Sequence, residues 1–405
     1  MSDGGGVAVT TVGVLGAGTM GAGIAQVAAL GGLRTRLYDV VPAAAAAGAE
    51  RLREALGQGV ERGRWEARDA ELAAARVHPT GELAELAGCE LVIEAAPEDL
   101  GLKRDLLSAV AAVCGPAAVL ATNTSSLRVG EIAAGVPGPE RVVGMHFFNP
   151  PPLMRLVEVV AAERSSAAAL ATATALVEVM GKTPIRARDS PGFLANRLAR
   201  PFFLEPLRML AAGLAEAARI DRVIRLGGGF RMGPFELIDL IGLDVNLEIA
   251  RSFYRQGGEP ERWRPSPIQR RLVEEGKLGR KSGEGYHRYP PGAGRRAEHE
   301  PEVAAPTLEP TALERIDPAA PEILLRLFAQ IANEAAFAAE EEIASPRDFD
   351  TAMRLGFNWP LGPLAIAELI GPARAVATLE RFRASLGEAY APAPRLVTAA
   401  EEASG

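Results

Sequence analysis

The chain has 405 residues, 48% of them hydrophobic, with 51 acidic side chains against 44 basic ones and a formal charge of −7. That length suits two or three domains, each burying a sizeable core, and charges spread without long single-sign blocks argue against non-specific nucleic-acid binding. Cys89 and Cys114 stand 25 positions apart and only four histidines occur, so free thiols in a reducing cytoplasm and no structural zinc are expected.

The uncharged stretch 7–33 has the length of a membrane span. It lacks a basic leader and is crowded with Gly and Thr, so a soluble segment is expected. Within it, residues 11–15 read as a strand, Gly16-Ala17-Gly18-Thr19-Met20-Gly21 follows, and an Ala-rich helix runs to Leu30. Strand, GxGxxG and helix in that order are the context of a dinucleotide fingerprint. Gly16 allows the tight turn, Gly18 lets the backbone approach a pyrophosphate, and Gly21 lets the helix pack close to the strand. Thr19 and Met20 open the helix, whose first N–H groups serve the phosphates. A second strand, 34–38, ends in Asp39, about twenty residues on, where a carboxylate accepts from the ribose 2′-OH and repels a 2′-phosphate. NAD is therefore expected over NADP, with Arg34 and Arg36 nearby.

Helical segments at 43–63 and 66–74 follow, then apolar runs at 76–78, 91–94, 117–121 and 142–147 alternating with helix-like stretches. This alternation predicts an α/β Rossmann-type, doubly wound sheet. Ligands of such sheets lie beyond the carboxyl ends of the strands, where Glu94, residues 123–126 and His146 all fall. Strands at 156–160 and 183–187 around a helix at 167–180 complete a nucleotide-binding domain over residues 1–188.

From Asp189 the pattern changes to helix after helix, opening at 190–198 with Pro191 in a first helical turn, where its missing N–H is no loss. An all-α module is expected over 189–289, a Pro- and Gly-rich linker over 290–318 and a second helical module over 319–400. At an offset of 129, Arg326 aligns with Arg197, Glu334 with Glu205, Asp350 with Asp221, Arg354 with Arg225, and Gly362-Pro363 with Gly233-Pro234. The all-α domain thus reads as present in two copies. Leu325 stands where Asn196 would align, so the second copy is expected to be structural.

His146 ends a buried-strand pattern, Val142 to Phe147, and precedes Phe148, Asn149 and Pro150. Imidazole is the side chain that exchanges protons near neutral pH, and oxidation of a secondary alcohol by a nicotinamide needs a base for the hydroxyl proton. A carboxylate that fixes its tautomer is supplied by Glu158, flanked by apolar residues in a short strand. Taken singly, a core histidine donating to a backbone carbonyl and an outward-facing acid on an edge strand fit the same residues. Ser125 and Asn196 read as substrate contacts or as cap and turn residues.

Taken together these signatures resemble the L-3-hydroxyacyl-CoA dehydrogenase family over about residues 11–289. The glycine loop, Glu98-Asp99-Leu100 with Lys103, Asn123-Thr124-Ser125-Ser126, His146-Phe147-Phe148-Asn149-Pro150, Leu156-Val157-Glu158-Val159, Gly192-Phe193 with Asn196-Arg197, Met232-Gly233-Pro234-Phe235 and Gly279-Arg280-Lys281-Ser282-Gly283 occur in order. The resemblance implies His146 as base, Glu158 as its orienter, and Ser125 and Asn196 as contacts to the substrate's 3-oxygen and thioester region. For NAD it implies the glycine loop, Asp39, Glu98, Lys103, Asn149 and Lys281. The substrate it implies is a coenzyme A thioester of an L-3-hydroxy acid, oxidised reversibly to the 3-keto thioester. No lysine in residues 57–68 matches the family's CoA contact, and Arg62 and Arg64 stand there instead.

Relatives with a single helical module dimerise through it, so the second copy implies either a monomer with paired modules or a homodimer. The alternatives are the same chemistry on a carrier-protein thioester or a free sugar acid, and a non-catalytic NAD(H)-binding protein. Phe147 and Phe148 favour a thioester, and the presence of both His146 and Glu158 argues against a vestigial site.

Overall fold

The computed structural model describes residues 9–290 and 305–403. The chain divides into two compact units between Phe193 and Leu194. The first is an eight-stranded sheet of β1 (Thr11–Leu15), β2 (Arg34–Tyr38), β3 (Val77–Thr80), β4 (Leu91–Glu94), β5 (Val119–Thr122), β6 (Val142–Phe147), β7 (Leu156–Ala161) and β8 (Thr183–Arg188), in the order β3-β2-β1-β4-β5-β6-β7-β8. Its helices are α1 (Thr19–Leu30), α2 (Pro42–Glu61), α3 (Ala67–Arg76), α4 (Leu100–Val113), α5 (Val129–Ala133) and α6 (Ala167–Val179).

Every residue of β4, β5 and β6 is buried, the near-continuous apolar run of strands covered on both faces. Polar residues enter only where β4 and β5 end, as Glu94 and Thr122, and near the end of β6, as His146. The carboxyl ends of these parallel strands therefore carry the side chains that an apolar sheet would otherwise exclude.

One pairing departs from the parallel pattern, and it matters most. β7 runs antiparallel to β6 and sets Glu158 directly opposite His146. An antiparallel neighbour needs no crossover helix, so the connection from residue 148 to 155 suffices. β7 lies between β6 and β8, which rules out the edge-strand reading of Glu158.

The expected helix over 190–198 does not begin at Pro191. Gly192 (φ 67°) and Phe193 (φ 54°) take the left-handed conformation, which a right-handed helix cannot absorb, so residues 191–194 form a turn and the helix starts as Ala195–Leu198. Strand β3 extends through Pro79, which is tolerated because β3 is an edge.

The second unit is helical, and its longest element is Ala320–Glu340, of 21 residues. Arg197 Nε donates to Glu334 at 2.9 Å and Arg326 Nε donates to Glu205 at 2.9 Å. Both members of the second pair lie 129 positions from their counterparts in the first. The offset recurs at helix starts: Asp221 accepts from the N–H groups of Phe235 and Glu236, and Asp350 from those of Leu364 and Ala365. Each aspartate presses on a glycine, where a Cβ on Gly233 or Gly362 would lie 2.3 or 2.2 Å from the carboxyl carbon. Part of the expected linker is a short helix, Pro310–Glu314; residues 291–304 of that linker lie outside the described residues. Among the described residues no helix is long and apolar enough to cross a membrane.

Candidate active site

The glycine loop builds one half of the site. Gly16 (φ 91°) turns the chain sharply out of β1, and a Cβ on Gly21 would lie 1.7 Å from the Gly16 carbonyl oxygen, so only glycine lets α1 begin there. The N-terminus of α1 has no side-chain cap, which leaves its first N–H groups to an anionic ligand, and space is open beside Gly18. Asp39 accepts from Ala17 N at 3.0 Å and from Val41 N at 3.1 Å, which fixes its carboxylate at the loop. Gly16, Gly18 and Asp39 line a cavity of about 540 Å³ with apolar walls from Val40, Leu102 and Leu106. A dinucleotide's needs are met: N–H groups for phosphate, a carboxylate for ribose, and an apolar slot for a base. Thr19 and Met20 lie on the same wall.

The other half lies on β6 and β7. His146 Nδ1 is 2.6 Å from Glu158 Oε2, with His146 6% exposed and Glu158 fully buried. A buried carboxylate at that distance holds the ring in the tautomer with hydrogen on Nδ1. Nε2 has no hydrogen-bond partner among the described residues. The ring is packed by Phe148, 4.6 Å between centroids, and Phe193, 5.7 Å. Phe193 was legible only as part of the Gly192-Phe193 signature, and it reaches the imidazole from a residue with a positive φ. Asn123 Oδ1 accepts from Phe147 N at 2.8 Å, tying the end of β5 to the residue after His146. Gly23, on α1, leaves no room for a side chain, since a Cβ would lie 2.9 Å from Pro151 Cδ. The loop after His146 therefore packs on the helix that starts at the glycine loop.

Between these halves stands Glu98. Its Oε1 accepts from Thr124 Oγ1 (2.6 Å), Ser125 N (3.0 Å), Ser126 N (2.9 Å) and Ser126 Oγ (2.9 Å), and its Oε2 lies 3.3 Å from Lys103 Nζ. Burial raises its pKa, but the Lys103 ammonium and the Thr124 and Ser126 donors outweigh it and hold the carboxyl below its ordinary range. Lys103 is 1% exposed and lies beneath Glu98. Ser125 and Asn149 are exposed. Asn196 lies on Ala195–Leu198 of the helical unit, and Lys281, in the same unit, has its ammonium 2.6 Å from both oxygens of Asp244.

Residues 11–190 match the family model described as the 3-hydroxyacyl-CoA dehydrogenase NAD binding domain, and residues 192–289 and 323–404 match that of the 3-hydroxyacyl-CoA dehydrogenase C-terminal domain. The chain is 35% identical to the 3-hydroxyadipyl-CoA dehydrogenase of Escherichia coli K12, over 94% of this chain and 95% of that one. It is 41% identical to a probable 3-hydroxybutyryl-CoA dehydrogenase of Bacillus subtilis, over 68% and 96%. A crystal structure of 3-hydroxybutyryl-CoA dehydrogenase from Escherichia coli K12 superposes with a TM-score of 0.89 at 34% identity, covering 98% of this chain and all of that one.

Proposed function

Because the chain belongs to the 3-hydroxyacyl-CoA dehydrogenase family, as an NAD-dependent oxidoreductase acting on a CH–OH group, we propose that His146 is the general base for an L-3-hydroxyacyl-CoA substrate and Glu158 its orienter. One observation carries this reading: the 2.6 Å contact of His146 Nδ1 with the buried Glu158 carboxylate, which leaves Nε2 as the proton acceptor. In the oxidative direction Nε2 takes the proton of the 3-hydroxyl, and the 3-keto group forms as the hydride on C3 departs. NAD, when bound, supplies the hydride acceptor. Glu158 stabilises the imidazolium that results, and the rings of Phe148 and Phe193 exclude water from it.

The cofactor set in this reading is Gly16, Gly18, Thr19, Met20, Gly21, Asp39, Glu98, Asn149 and Lys281, with Lys103 acting through Glu98. Ser125 and Asn196 are assigned to the substrate's oxygens by the family resemblance. We place the protein in the cytoplasm, a reading supported by two buried free cysteines.

The test is a panel of short, long and ω-carboxylated 3-ketoacyl-CoA thioesters, with NADH consumption as the readout. Turnover of at least one, acetoacetyl-CoA included, is expected. NADH binding without turnover of any thioester would overturn the assignment.

A further inference from the structure

At the end of β4, Glu94 is a carboxylate with no exposure to solvent, and an isolated charge there would be prohibitively costly. It is not isolated. Glu94 Oε1 accepts from Ala96 N at 2.6 Å and from Lys103 Nζ at 2.8 Å, and Oε2 accepts from Thr122 Oγ1 at 2.7 Å. The ammonium of Lys103 has three N–H groups and three acceptors around it: Glu94, the Ala96 carbonyl at 3.1 Å and Glu98 Oε2 at 3.3 Å. Lys103 is therefore a buried bridge between two carboxylates, one sealed in the sheet and one facing the site.

A buried ion pair stabilises a fold little better than an apolar pair of equal volume. An apolar pair could not present a cation to Glu98. Without the Glu94 charge, the Lys103 ammonium would have Glu98 as its one counter-ion. Glu98 would be drawn down toward it and away from the Ser125 and Ser126 amides.

We propose that Glu94 is a positioning residue of this site: it holds Lys103 at a fixed height beneath Glu98, and Glu98 thereby fixes the backbone that carries Ser125. The inference rests on the functional reading above, in which Glu98 serves the cofactor and Ser125 the substrate. It adds a residue that touches neither, and it makes one carboxylate, Glu98, the joint between the two binding functions.

The test uses the full-length protein with Glu94→Gln, with Thr122→Val, which removes one anchor of the carboxylate while leaving the charges, and with the double variant Glu94→Gln/Lys103→Met. NADH affinity by fluorescence, KM and kcat for acetoacetyl-CoA, and thermal melting are measured on each. Loss of one charge-assisted hydrogen bond at Glu98 predicts that Glu94→Gln weakens NADH binding and raises the thioester KM by about tenfold. Thr122→Val should move both in the same direction by about threefold and would carry the test if Glu94→Gln does not fold.

The double variant should regain thermal stability without regaining either affinity, because Lys103→Met takes from Glu98 the cation that anchors it. If the double variant recovers affinity together with stability, or if folded Glu94→Gln keeps both constants within about twofold of wild type, Glu94 is structural and the proposal fails. Wild-type turnover is the control: its absence would sink the functional reading, while NADH affinity would still report on Glu94.

Discussion

Replacing Glu158 by Gln tests the histidine–carboxylate pair without altering its shape. The Gln carbonyl still accepts from Nδ1–H, so the tautomer survives; the negative charge beside the developing imidazolium does not. The bond removed is a short one, 2.6 Å, between groups that are 6% and 0% exposed, so solvent does little to screen it. A hydrogen bond to a charged group is worth about 1.5–3 kcal/mol. At about 1.4 kcal/mol per tenfold, that corresponds to a loss of roughly 10- to 150-fold in kcat/KM. NADH oxidation by acetoacetyl-CoA under steady-state conditions gives kcat/KM, and NADH fluorescence gives the cofactor affinity, which should stay near wild type. Glu158→Ala, which also frees the ring to rotate, should lose more. A folded Glu158→Gln protein with kcat/KM within about threefold of wild type would refute the role given to the carboxylate.

Gly21→Ala places a methyl 1.7 Å from the Gly16 carbonyl oxygen; overpacking of this kind costs about 1–3 kcal/mol, and the displaced loop should weaken NADH binding at least tenfold by calorimetry. An unchanged dissociation constant would contradict the close packing. In the helical unit, His287 Nε2 lies 2.8 Å from Asp221 Oδ2, and that hydrogen bond, assisted by the charges of Asp221, Asp239 and Glu236, raises the His287 pKa against the opposing effect of burial. A folded-state pKa above the unfolded value means that the native state binds more protons, so the stabilisation is present near pH 6.5, where Asp221, itself pushed up to about 6 by burial, is still largely ionised, and is lost as pH rises through the folded pKa of His287. The melting-temperature difference between wild type and His287→Gln should therefore shrink from pH 7 to pH 9, and a difference that grows would reverse the sign.

Uninterrupted apolar runs were the most legible part of the fold. β1, β4 and β6 occupy the residues expected of them, because strands buried on both faces leave no polar punctuation to misread. Residues 190–198 were misread because a turn with two successive left-handed residues has no unique composition, and Phe193 is not a residue expected at φ 54°. In the site, the glycine loop, Asp39, His146 and Glu158 were legible as individual residues. What joins them was not. Sequence places Lys103 near the cofactor by resemblance, and only coordinates reveal that its ammonium lies beneath Glu98 against Glu94. Glu94 itself carried a faint signal, an acid closing an all-apolar strand with a lysine nine residues on, but that spacing specifies no contact until β4 and α4 are packed. The reciprocal pairs Arg197–Glu334 and Arg326–Glu205 sit at the aligned positions of the 129-residue offset, yet an alignment at that offset does not reveal that each arginine pairs with a glutamate of the other aligned segment.

The central claim is that His146 accepts the substrate proton and does not hold the cofactor. His146→Gln measures it most directly, with turnover of the best 3-ketoacyl-CoA thioester and NADH affinity recorded on the same preparation. Removal of a general acid–base group predicts a fall in kcat of about 10² or more, with the NADH dissociation constant within about twofold of wild type. A parallel loss of NADH binding, or turnover close to wild type, would contradict the account.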